Sequence, residues 1–161
     1  MDRTALKTYG TQQVMTSSPA KLVALLHDKV ITSLREAIQA IEEKKVEARW
    51  KANNKATEII MHLANTLDHE AGGEIAENLH RLYNFMLTRL YDVDRQNDAQ
   101  AAREVIGLIE PLRDSWHQLA DEASEAGTKK QQSSTNGGGH DSGKGESPSL
   151  AAAAGGVNLS A

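Results

Sequence analysis

Between residues 19 and 126 apolar positions recur every three or four residues, the spacing that puts them on one face of an α-helix. No stretch sustains the alternation of a half-buried strand. Ser18-Pro19 reads as a helix start, because Ser offers a capping oxygen and Pro at the first helical position gives up no needed donor. The pattern predicts a first helix over KLVALLHDKVITSLREAIQAIEEK, fading near Lys44 and Lys45, and a second from about Val46 to Leu67. Asp68 to Gly73 breaks the pattern; a third helix runs from about Glu74 to Val93, and Asn97 or Asp98 caps a fourth that ends between Ala123 and Gly127. Short connections make sequential helices antiparallel, so the expected fold is all-α, an up-down four-helix bundle over residues 18–126.

Projection at 100° per residue shows which faces need cover. In the first helix Leu22, Val23, Leu26, Val30, Ile31, Leu34, Ala37, Ile38 and Ile41 fill an arc of roughly 180°, with Leu25 about 60° outside it. In the third, Ile75, Leu79, Leu82, Tyr83, Met86, Leu87 and Leu90 share one arc, and Phe85 stands apart. The fourth carries a stripe of roughly 120° from Val105 to Ala123, with Ile106 at its edge. A bundle helix needs about 100° or somewhat more. The first and third helices therefore read as carrying surplus apolar surface, available to a partner or to the preceding chain. Leu25, Ile31, Ile59, Phe85 and Ile106 are the candidate anchors for such a partner. Pro111 should bend the fourth helix, its ring crowding the carbonyl of Gly107.

The flanking segments differ in kind. Residues 1–17 hold Leu6, Tyr9, Val14 and Met15 on a short apolar stripe and read as a cap-like segment packed on the bundle. Of 12 glycines, eight lie in residues 127–161, where QQSSTNGGGHDSGKGESPS has no apolar residue to bury. That composition reads as a disordered Gly/Ser-rich tail, with the mildly apolar LAAAAGGVNLSA at its end as either a weak contact segment or, by its composition first, a passive extension.

Composition closes off several chemistries. The 161 residues carry 18 Lys+Arg, 22 Asp+Glu and no Cys. A net charge of −4 argues against nucleic acid, and the lack of Cys removes disulfides and thiolate metal sites. No apolar run approaches 18 residues and the start has no signal-peptide core, so a cytoplasmic protein without membrane insertion is expected. Glu77/His80, Asp114/His117 and Glu58/His62 have the spacing of a di-metal bundle site, but each acid lies opposite its helix's apolar stripe, and no metal or other cofactor is expected. His27 falls inside the apolar arc, where a satisfied core histidine is the simple reading. No nucleophile, base and orienting group fall together, so the expectation is no enzyme.

Longer motifs then resemble a known family. GGEIAENLHRLYNFMLTRL (72–90), EVIGLIEPLRDSWHQL (104–119), TSSPAKLVALLHDKVITSL (16–34) and the Leu67-Asp68 turn are similar to the flagellin-specific secretion chaperones of the FliS family. The chain departs from that pattern at His27, at Lys29, at Pro111 and in its long tail. The resemblance implies a non-enzymatic cytosolic chaperone that binds the disordered C-terminal segment of flagellin, prevents premature polymerisation and delivers it to a component of the flagellar type III export gate. It also implies that the N-terminal segment, with Leu6, Tyr9, Val14 and Met15, covers part of the binding surface and assists docking at the gate. A structural oligomeric bundle or a di-metal bundle protein is the alternative, and weak self-association is compatible with the surplus faces.

Overall fold

A computed structural model describes residues 18–133 and 150–154. Four long helices carry the chain: α1 (Pro19–Glu42), α2 (Val46–Asn65), α3 (His69–Gln96) and α4 (Ala99–Ser133), followed by a single turn, α5 (Leu150–Ala153). Among the described residues there is no strand. Leu6, Tyr9, Val14 and Met15 lie outside the described residues.

Three of the four long helices begin at a capping side chain. The Ser18 hydroxyl accepts from the Lys21 amide at 3.2 Å, and Pro19 follows at the first position. At the other end of α1 the chain turns through Lys44 at φ 57°, and the Lys45 amide donates back to the Ala40 carbonyl at 2.8 Å, a left-handed C-terminal cap. Asp68 caps α3 by accepting from the Ala71 amide at 2.9 Å. Gly73, at φ 51° and ψ −127°, then kinks that helix after one turn, a conformation costly for any side chain. Asn97 ends α3 in the left-handed region, and Asp98 starts α4 by accepting from the amides of Gln100 and Ala101. The two residues divide the capping role that the sequence left between them.

Side-chain pairs fix the directions. Along α1 and α4, Lys21 and Asp28 meet His117, Arg35 meets Glu110 and Glu42 meets Arg103, so one helix ascends as the other descends. Arg49 and Asn53 of α2 bond Asp94 of α3 in the same antiparallel sense, and Asn53 also donates to the Leu90 carbonyl. Around the ring α1 packs on α2 and α4, and α3 closes the square against the same two helices. Val30, Leu34, Ala56, Ile60, Met86, Leu90, Val105, Ile109 and Trp116 fill the centre.

Two expectations are corrected here. The fourth helix does not end by Gly127 but continues to Ser133. Its last turns are exposed up to the last described side chain at Lys129, and strong helix formers around Gly127 offset the roughly 1 kcal/mol that one glycine costs. The LAAA run near the C-terminus is not a passive extension: it forms α5 and packs on α3. Helix α4 runs continuously through Pro111, and the place of a Cβ on Gly107 meets no neighbouring atom within 4 Å. Neither another helix nor the Pro111 ring crowds that position, so a larger residue than glycine has room there.

Candidate functional site

Burial sorts the candidate anchors. Leu25 on α1 and Phe85 on α3 are exposed, Phe85 by 51 % of its surface. Ile59 and Ile106 are half-buried and lean on the core. Ile31 is corrected: it is 2 % exposed and among the largest buried side chains, so it supports the core from beneath and offers nothing to a partner. The reason is topological. Because α1 packs on two neighbours at once, Val23, Val30, Ile31, Leu34 and Ala37 of its wide apolar arc are buried, while Leu22, Leu26, Ile38 and Ile41 are half-buried.

The exposed apolar surface extends to residues that the periodicity did not single out. Trp50 and Met61 on α2 are 53 % and 48 % exposed, Tyr91 on α3 is 66 % exposed, and Val46 opens the start of α2. Trp50 stands one turn before Asn53, and Met61 two turns after it, on the flank that Asn53 turns to α3. Tyr91 stands one turn before Asp94, on the flank that Asp94 turns to α2. These three side chains border the outside of the α2–α3 seam, with the Arg95 guanidinium 6.0 Å from the Tyr91 ring. Phe85 stands one turn before Arg89, which bonds Glu104 at 2.8 Å, and so borders the α3–α4 seam instead. The apolar residues thus follow the grooves around the bundle rather than forming one patch. The signal for Trp50 and Met61 was their position beside an alanine-rich α2 stripe too thin to cover them.

The polar groups are structural in arrangement. His27 is fully buried between α1 and α3: its Nδ1–H donates to the Val23 carbonyl at 2.8 Å, and its Nε2 accepts from the Tyr83 hydroxyl at 3.0 Å. Burial pulls its pKa from 6.5 down to about 4, against the opposing pull of the Val23 hydrogen bond. Burial likewise pushes the Tyr83 phenol up, so it stays a donor. His117 is bound by Asp28 at 2.8 Å and by Lys21 at 3.2 Å. Glu77 pairs with Arg81 and Asp114 with Arg113, each on the surface. Among the described residues no three His, Cys, Asp or Glu side chains converge as a metal site would require. No described helix is long and apolar enough to cross a membrane.

Comparison with known proteins bears on the same stretch. A family model described as "Flagellar protein FliS" matches residues 2–123. The flagellar secretion chaperone FliS of Salmonella typhimurium is 41% identical over 112 residues, covering 69% of this chain and 83% of the relative. Its counterpart from Vibrio cholerae is 32% identical over 110 residues, covering 68% and 81%. That from Campylobacter jejuni is 30% identical over 115 residues, covering 71% and 90%. A helical bundle with capped, antiparallel helices and apolar residues left open along its grooves, matched over nearly all of its bundle, belongs to the FliS family of flagellar secretion chaperones.

Proposed function

We propose that this chain binds the disordered C-terminal segment of flagellin in the cytosol, keeps it from polymerising prematurely and presents it to the flagellar type III export gate. The observation that carries this reading is the exposure of Leu25, Trp50, Met61, Phe85 and Tyr91 on a bundle whose own core is already closed. A client helix laid in a groove takes such residues as anchors. Fully burying a large apolar side chain contributes about 1.5–3 kcal/mol, and ordering a disordered client takes back about 2–5 kcal/mol. Several anchors must therefore act together, which suits a client that wraps around the bundle. Ile59 and Ile106 extend the grooves as half-buried walls, and Leu6, Tyr9, Val14 and Met15 serve the N-terminal cap and gate docking. The role is one of binding, without catalysis.

The test is a titration of the full chain with a peptide of the flagellin C-terminal region, followed by circular dichroism. Helix content should rise beyond the sum of the separate components, with saturation at one client per chaperone. An absence of helix gain, together with a tight dimer in sedimentation, would mean that the grooves serve self-association instead.

A further inference from the structure

One end of the bundle, where α1 and α3 begin and α2 ends, holds an occupant that the four-helix frame does not need. Helix α5 sits there, beyond residues 2–123 that the family model matches. Ala153 is fully buried and Ala154 nearly so. The Ala153 carbonyl accepts from the Asp68 amide at 2.9 Å, a donor at the start of α3 that has no partner within that helix. Gly72 lies directly beneath: a Cβ there would stand 2.6 Å from Ala153 Cα and 2.7 Å from its Cβ. A very small residue on the α5 side allows so close an approach; on the bundle side glycine is required by α5 and also by α3 itself, where the same Cβ would stand 2.8 Å from the Ala76 Cβ. Leu150, three residues before Ala153, leans on the edge of the core. Beside α5 an apolar cavity of about 450 Å³ lies among Pro19, Ala20, Trp116 and Ala123 of the bundle.

A four-residue turn has no helical stability of its own, so the seat orders it. Its contacts are mostly methyl groups, which hold weakly. Tethering compensates, since a segment joined to the same chain experiences an effective concentration on the order of millimolar. An intrinsic dissociation constant about tenfold below that concentration keeps the seat about nine-tenths filled, and a site filled only through tethering releases its occupant readily.

We propose that this end of the bundle is a peptide-binding seat for a Leu-x-x-Ala helical turn, with the chain's own Leu150–Ala154 segment as its exchangeable occupant. Specificity comes from three contacts: the Gly72 floor that admits alanine, the Asp68 amide that takes a main-chain carbonyl, and the core edge that takes leucine. The seat is separate from the groove residues assigned to the client, so failure of one reading leaves the other standing.

The experiment uses the full chain with Ala153→Asp, which cannot enter the seat, and follows the Asp68 amide and the Trp116 indole by NMR. In the variant, Asp68 should exchange about tenfold faster or more, with the Trp116 indole resonance shifted and overall helicity kept. A synthetic peptide of residues 147–156, added at millimolar concentration, should restore both signals. The same peptide with Ala153→Leu should not. Unchanged Asp68 exchange and Trp116 resonance in Ala153→Asp would overturn the proposal, as would equal restoration by the Ala153→Leu peptide.

Discussion

Lowering the pH should weaken this fold through one residue. His27 has no accessible surface, and both ring nitrogens are engaged. A carbonyl can only accept, so the proton sits on Nδ1 toward Val23, and the bare Nε2 takes the Tyr83 hydroxyl proton. Charging the ring puts a second proton on Nε2, facing a phenol that must then turn its own proton away. The folded pKa of about 4 lies below the ordinary 6.5, so between those values the unfolded chain binds more protons than the native one. The stabilisation is complete above about pH 6.5 and is lost as the pH falls from there through about 4. Asp28 favours the charged ring and His117 opposes it, but burial outweighs both. The full span amounts to about 3 kcal/mol, of which about 2 kcal/mol is gone by pH 5. Urea unfolding at pH 7.5 and 5.0 measures it, with the double variant His27→Phe/Tyr83→Phe as reference, since the other titrating groups are common to both chains. The wild type should lose about 2 kcal/mol more than the double variant. Equal losses, or an NMR titration placing His27 at 6 or above, would refute the reasoning.

Two further stability changes follow from backbone geometry. Lys44 occupies a left-handed position that disfavours any side chain, so Lys44→Gly should raise the unfolding free energy by about 1 kcal/mol in urea, with no change in helicity. Pro111 withholds an amide from the interior of α4, so Pro111→Ala should stabilise by about 1–3 kcal/mol and raise the thermal midpoint; a lowered midpoint would show that the chain needs the distortion.

The parts legible in the sequence were those written locally. Ser18-Pro19 and Asp98 announce two helix starts through their own capping oxygens, and the period of Val30, Leu34, Ile60, Met86, Leu90 and Ile109 announces the core; Asp68, read as part of a break before Glu74, instead caps α3 at His69, with the break reduced to the kink at Gly73. A stripe of about 100° is the least that a bundle helix buries. In a square bundle each helix meets two neighbours, which is why Ile31 vanished into the core while Phe85 stayed out. Of the overlooked exposed residues Val46, Trp50 and Met61 sit on α2, whose buried face mixes Ala52, Ala56 and Ala64 with Ile60 and Leu63, and Tyr91 sits on α3. Helix α5 was illegible for a stronger reason. Four residues carry no periodicity, and what orders them is a glycine floor nearly eighty positions away in the chain.

The spread of exposed residues around the bundle constrains how a client is held. Leu25 and Phe85 stand on helices that face each other diagonally, so no single short helix covers both. If one wrapping client touches both, each serine substitution removes an independent contact. Each side chain is already about half-covered, so each loss is about 1–1.5 kcal/mol, close to tenfold in affinity. Leu25→Ser with Phe85→Ser should then weaken the flagellin peptide by about a hundredfold, the product of the single effects, because distant sites add. Unfolding midpoints should barely move, since neither side chain is buried in the core. A double variant no weaker than the worse single one would confine the client to one groove. A double variant that unfolds would return Leu25 and Phe85 to the core.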